Sequence, residues 1–239
     1  MAISDVGGAV AADFTSGTAL ATGALSAAVQ VGDLIIASMY YAPDSTSDTA
    51  CSCADSLGNA YTEVTNHGFD TGENLRHFWC YSAFAGTPNV TLTPAAASSF
   101  RTSHAHALRG VSGTRLGDIF AAPASPGTGT DAISSGNINI TTQPALSWGF
   151  CVDRGANATP LIGTGYTAES HTTIRVQAEW QEVSATGNKA ATFTSGVGAG
   201  ADQYFVSEIA FVRDSTGGPS TGPVTLTSQR NRRSVGRYF

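Results

Sequence analysis

Short apolar runs, each about as long as a strand, recur along most of this chain between clusters of Gly, Ser, Thr, Asn and Pro. Leu34-Ile-Ile-Ala-Ser-Met-Tyr-Tyr41, introduced by Gly32-Asp33, is continuous in its apolar character and short enough for a buried strand. Residues 61–65 follow Asp55-Ser-Leu-Gly-Asn59, where Gly58 and Asn59 tolerate the backbone of a tight hairpin. Segments 75–83, 90–92, 100–108, 137–140, 145–152, 174–183, 190–193 and 204–212 continue the series. About ten strands with almost no helical periodicity predict an all-β protein, a single jelly-roll-like antiparallel β-sandwich. The Ala-rich opening, 9–29, is ambiguous, but Gly17, Gly23 and interspersed Thr and Ser argue against a helix there. No repeat at a fixed period is apparent. The expected division is a β-sandwich over 1–213, a Gly/Pro/Ser/Thr linker over 214–223 and a basic C-terminal arm over 224–239.

Charge changes sign at that boundary. Residues 1–213 carry 8 Lys+Arg against 17 Asp+Glu, whereas 214–239 carry Arg230, Arg232, Arg233 and Arg237 against Asp214 alone. An arm of four arginines is a small electrostatic term for nucleic acid, and the acidic body would repel it. A protein partner with an acidic groove fits better, including the body of an adjacent copy, with Tyr238 and Phe239 as apolar anchors beside the arginines. Charged residues are only 13% of the chain, so its polar surface must come from Ser, Thr, Asn and Gly, which repel neighbours weakly and suit a lattice of copies. No basic leader precedes an apolar segment and no apolar stretch is long enough to span a bilayer, so synthesis in a cytoplasm without a signal peptide, and no membrane partner, are expected.

Candidate chemistry has plainer explanations. His104 and His106 are two apart on a strand and share one face, as a sheet metal site requires. A third ligand would come from His67, His77 or a carboxylate. Lacking a recognisable one, the pair reads as polar surface on the solvent face, with Ala105 and Ala107 turned inward, and no metal or other cofactor is expected. Glu179 and Glu182 fall on opposite faces of their strand and make no glycosidase pair. Asp13, Asp33, Asp55, Asp118 and Asp153 stand where Asp commonly satisfies turn amides. No Gly-x-Ser-x-Gly is present, and Gly196-Val-Gly-Ala-Gly200 lacks the Lys and Ser/Thr of a phosphate loop. No catalytic residue is assigned and no enzyme is expected. Among the aromatics, alternation sets Phe78 against Trp79 and Tyr81, so in a two-layer sandwich one set is core and the other is available for a contact. Trp148, Phe150 and Trp180 read as core. Cys80 and Cys151 lie in apolar runs and read as buried thiols, while a bridge from Cys51 or Cys53 to either stays open.

Val31-Gly-Asp-Leu-Ile-Ile36, Asp55-Ser-Leu-Gly-Asn-Ala-Tyr-Thr62, His77-Phe-Trp79 and Ala178-Glu-Trp-Gln-Glu-Val-Ser-Ala185 together resemble a β-sandwich domain of tailed-bacteriophage virion proteins, over roughly residues 14–212. The resemblance implies a non-enzymatic structural component of the particle, with other virion proteins as partners and further copies in the same particle. A capsid decoration or cement protein is the first expectation, followed by a tail, neck or baseplate protein. The alternative is a carbohydrate- or receptor-binding module of a tail fibre.

Overall fold

A computed structural model of the chain describes residues 2–13, 15–43, 50–64, 67–68, 73–124, 132–153, 159–170, 175–194 and 204–213. The linker and arm expected over 214–239 lie outside them. The strands of the first half are β1 (Ser4–Asp13), β2 (Leu20–Ala24), β3 (Leu34–Pro43), β4 (Cys51–Asp55), β5 (Thr62–Glu63), β6 (His67–Gly68), β7 (Asn74–Tyr81), β8 (Asn89–Pro94) and β9 (Ser98–Arg109). Those of the second are β10 (Val111–Ala124), β11 (Ala132–Ser134), β12 (Ile138–Ile140), β13 (Ala145–Asp153), β14 (Leu161–Ile162), β15 (Thr167–Ser170), β16 (Val176–Val183), β17 (Gly187–Lys189), β18 (Thr192–Thr194) and β19 (Tyr204–Arg213). Every pairing is antiparallel. Among the described residues no helix is long and apolar enough to cross a membrane.

The sheets stack in four layers, and alternation along each strand explains how. On β3, Leu34, Ile36 and Tyr40 join a core with Leu146, Trp148, Phe150 and Val152 of β13, while Ile35, Ala37, Met39 and Tyr41 point the other way, towards Leu20, Val90 and Leu92. The sheet β1-β9-β3-β7-β5, with β6 beside β7, is therefore interior on both faces, flanked by the outer sheet β2-β8-β4. In the second half β10-β19-β13-β16-β15 packs one face into the shared core and turns Cys151, Val206, Ala145 and Ala210 towards the outer sheets β11-β18-β14 and β12-β17. The expected sandwich of sheets is present, but it is doubled.

The doubling is a repeat of topology. The path β1-β9-β3-β7-β5 has the same order as β10-β19-β13-β16-β15, and β2-β8-β4 the same as β11-β18-β14. Register carries the correspondence to single residues. Thr62, after Tyr61, lies opposite Trp79, and Thr167, after Tyr166, lies opposite Trp180. A bulge between Asp5 and Gly7, facing Leu108 and Ala107, is matched by one between Arg115 and Gly117, facing Phe211 and Ala210. The absence of a repeat in the sequence thus does not extend to the structure. The Ala-rich opening supplies β1 and β2 as strands.

Local polar chemistry fixes the turns. Asp55 takes five hydrogen bonds, from the amides of Leu57, Gly58 and Asn59, from Asn59 Nδ2 and from Tyr61 OH. Replacing it with Ala leaves these donors without their acceptor, and the expected cost is about 2 kcal/mol, measurable as a lower urea midpoint. A change under ~0.5 kcal/mol would show that water replaces the carboxylate in full. Asp33 likewise accepts from the Gln30 amide and meets the Arg109 guanidinium at 2.8 and 2.7 Å. Asp13 caps Thr15 and pairs with Arg101 at 2.6 Å.

Candidate functional site

The sequence places His104 and His106 on one face of β9, and the structure turns that face inward. Both rings are fully buried and lie against Trp148 at centroid distances of 5.6 and 5.3 Å, while Ala105 and Ala107 pack towards the outer sheet. The expected solvent-facing pair is thus corrected. In a two-layer sandwich the face opposite the alanines would meet water; here it meets a second large sheet.

That burial brings carboxylates to His106. Asp5, on β1 opposite Leu108, places Oδ1 at 3.1 Å from Nε2. Glu169, on β15 opposite Ala178, faces the shared core and places Oε2 at 3.2 Å from Nδ1. Asp5, His106 and Glu169 each offer one ligand-type atom, and these atoms lie within 4.8 Å of one another. The Asp5 side chain is 48% exposed and opens the group to solvent; Glu169 is 7% exposed. Burial, reinforced by the charge of Asp5, pushes the Glu169 carboxyl up to about 8. The imidazole of His106 holds Asp5 below the usual range, against the cost of its burial. Neither ring nitrogen of His106 completes a hydrogen bond, and Glu169 Oε1 is buried without one.

Other polar side chains in the interior serve the layering. His77 bridges Ser38 and Ser207 at 2.6 Å on each ring nitrogen, a hydrogen-bonded tie between the two large sheets with no exposure of its imidazole. Glu179 and Glu208 flank Gly149 across β13. Glu179 accepts from the amides of Gly163 and Thr192, and Glu208 from the Ala191 amide and the hydroxyls of Ser135 and Ser147. A Cβ on Gly149 would lie 2.6 Å from that of Ala191, so the glycine lets the β17–β18 connection close over the pair. Glu182, expected on the opposite face, accepts weakly from the Ile3 amide at 3.4 Å. Glu208 went unremarked in the sequence; its signal is its place between Val206 and Ala210 on the inward face of an apolar strand.

The aromatics pack on both faces of β7, Phe78 buried and Trp79 and Tyr81 half-buried. Phe78 packs with the outer-sheet core, and Trp79 and Tyr81 pack against the shared one, so the expectation that only one set is core fails for the same reason as the histidines. Trp148 and Phe150 are fully buried, and Trp180 packs against the same cluster. Phe84 is 49% exposed. None of the four cysteines is bridged, and Cys80 and Cys151 are buried. Burial pushes the Cys51 and Cys80 thiols up to about 12. The concavity beside the β16–β17 hairpin is open and polar, with Gln181, Ser184, Asn188 and Lys189 in its lining. The expected partner-binding residues Arg230, Arg232, Arg233, Arg237, Tyr238 and Phe239 lie outside the described residues, as do Gly196–Gly200 and the side chains of His67 and Asp118. Comparison of the chain with protein-family models, with curated proteins and with solved structures finds no match.

Proposed function

We propose that the chain is a non-enzymatic structural subunit of a bacteriophage particle, first a capsid decoration protein and next a tail, neck or baseplate component, held to neighbouring subunits by its basic arm. The observation that carries the reading is the use of interior polar groups in the body. Apart from the half-open cluster at Asp5, His77, Glu179 and Glu208 bind hydroxyls and main-chain amides between layers, where they set sheet against sheet. The strand order within each half supports a jelly-roll-like unit of the kind that builds lattices. The opposition of an acidic body and an arginine arm supplies the means of attachment. A glycan-binding role on a tail fibre would need an exposed aromatic platform, and Trp79, Trp148 and Trp180 all pack inward.

Deleting residues 214–239 is expected to leave the far-UV circular dichroism of the body unchanged and to abolish co-sedimentation with particles. Arg232→Ala with Arg233→Ala should weaken attachment in part, and added salt should reproduce that weakening in the intact chain. Undiminished incorporation of the truncated chain would refute attachment through the arm.

A further inference from the structure

Among the described residues the group around His106 is a polar cluster that layering alone does not account for. The buried imidazole meets carboxylates at 3.1 and 3.2 Å in poorly aligned contacts, and Glu169 Oε1 is buried without a hydrogen bond, although buried polar groups are almost always satisfied. Among the described residues no Lys or Arg pairs with Asp5 or Glu169. Among the described residues two carboxylates therefore converge on one imidazole without a Lys or Arg beside them, an arrangement costly in a low-dielectric interior.

The duplicated topology supplies an internal control. Register places Ile209 where the first half has His106, and Val64 where the second half has Glu169. Both Ile209 and Val64 belong to the shared apolar core. The fold thus fills the two buried positions with aliphatic side chains at one end and with an imidazole and a carboxylate at the other, so these two polar groups are not a requirement of the packing; Arg115 stands in register with the third position, Asp5. Space has also been kept for it. Gly8 lies opposite His106, and a Cβ there would stand 2.7 Å from Nδ1.

We propose that Asp5, His106 and Glu169 bind one divalent transition-metal ion, with Zn²⁺ the best match by donor type, and that the ion clasps β1 and β9 of the first half to β15 of the second. One nitrogen and two carboxylate oxygens are an ordinary donor set for zinc. A tetrahedral ion with ligands at about 2.1 Å spaces them about 3.4 Å apart; the three ligand atoms now lie within 4.8 Å of one another, and because an imidazole gives one nitrogen to an ion, the carboxylate on the opposite ring nitrogen must shift towards it on binding. Water reaching the site past Asp5 completes the coordination. The cation also offsets the repulsion between the carboxylates, which burial otherwise magnifies.

The test uses the full chain, dialysed against chelator and titrated with Zn²⁺ by calorimetry, with Ca²⁺ as the comparison. Expected are one Zn²⁺ per chain, no comparable Ca²⁺ binding, and a higher melting temperature with zinc that chelator reverses. Asp5→Asn, at a half-exposed position that should not impair folding, and Glu169→Gln should each weaken Zn²⁺ binding by about tenfold or more. Co²⁺ in place of zinc should show a ligand-field spectrum of nitrogen and oxygen donors. Zinc affinity unchanged in Asp5→Asn, a Co²⁺ spectrum with thiolate charge transfer, or no saturable zinc binding would each overturn the proposal.

Discussion

Truncating Trp148 to alanine is expected to destabilise the body by about 3–5 kcal/mol, the range for removing a large aromatic from a well-packed core. The ring is fully buried and lies between the halves, stacked on His106 with an interplanar angle of 23° and tilted over His104 at 33°. Truncation removes contacts to both large sheets at once. Because the core is shared, the loss should appear as one unfolding transition, shifted as a whole, in urea titrations followed by far-UV circular dichroism. Trp148→Phe keeps part of the volume and should cost less. Two separated transitions, one of them unmoved by the substitution, would show that the halves are independent and that the core between them contributes little.

The second large effect is a dependence on pH to which Glu179 contributes. Burial is the chief cause that pushes its carboxyl from the ordinary 4.5 up to about 7, opposed by hydrogen bonds from the Gly163 and Thr192 amides. Between those values the folded state holds a proton that the unfolded chain has released. Stability is therefore highest below about pH 4.5 as far as this group is concerned, falls as pH rises towards 7, and levels off above it. A rise of that size corresponds to roughly 3 kcal/mol of stability lost between the two ends of the window. Glu208, pushed up mainly by its own burial, acts in the same direction. Urea midpoints measured in chelator at pH 5 and pH 8 should differ accordingly. Glu169, pushed up to about 8 mainly by burial, acts in the same direction, so Glu179→Gln should remove one share of the difference and leave the rest, while costing some stability at pH 5 because an amide cannot accept at both of its ends. An unaltered pH slope in that variant would mean that Glu179 ionises as readily in the folded protein as in water.

Much of the fold was legible in the sequence, and the errors share one cause. The run from Leu34 to Tyr41 is apolar on both faces because β3 runs through an interior sheet. Outer strands alternate instead, as in Ile138-Asn-Ile140, buried, exposed and buried in turn. Continuous runs beside alternating ones are the mark of interior sheets with covered outer layers, but a single sandwich accounts for ten strands with less. That simpler arrangement is what put His104, His106 and one aromatic set in water. The strand β10 escaped notice because three irregularities break its register against β19, so no period-two pattern survives along it. The repeat was hidden by uneven spacing: 105 residues separate Thr62 from Thr167, but 101 separate Trp79 from Trp180. As for the site, nothing in the sequence could join Glu169 to His106. Their meeting depends on how two sheets, each built from strands distant in the chain, lie against one another.

The common strand order of the halves has a consequence for symmetry. Two identical subunits joined through the same face would form an isologous dimer, and every interface substitution would then occur twice, once on either side of the axis. Covalent linkage in one chain lifts that constraint. Ser207 can meet His77 while the position equivalent to Ser207 holds His104, and Ala178 stands where a second His77 would be. The body thereby carries different side chains at equivalent points of its two halves. A unit with distinguishable ends can join its surroundings in one orientation, which a symmetric dimer of the same fold could not do.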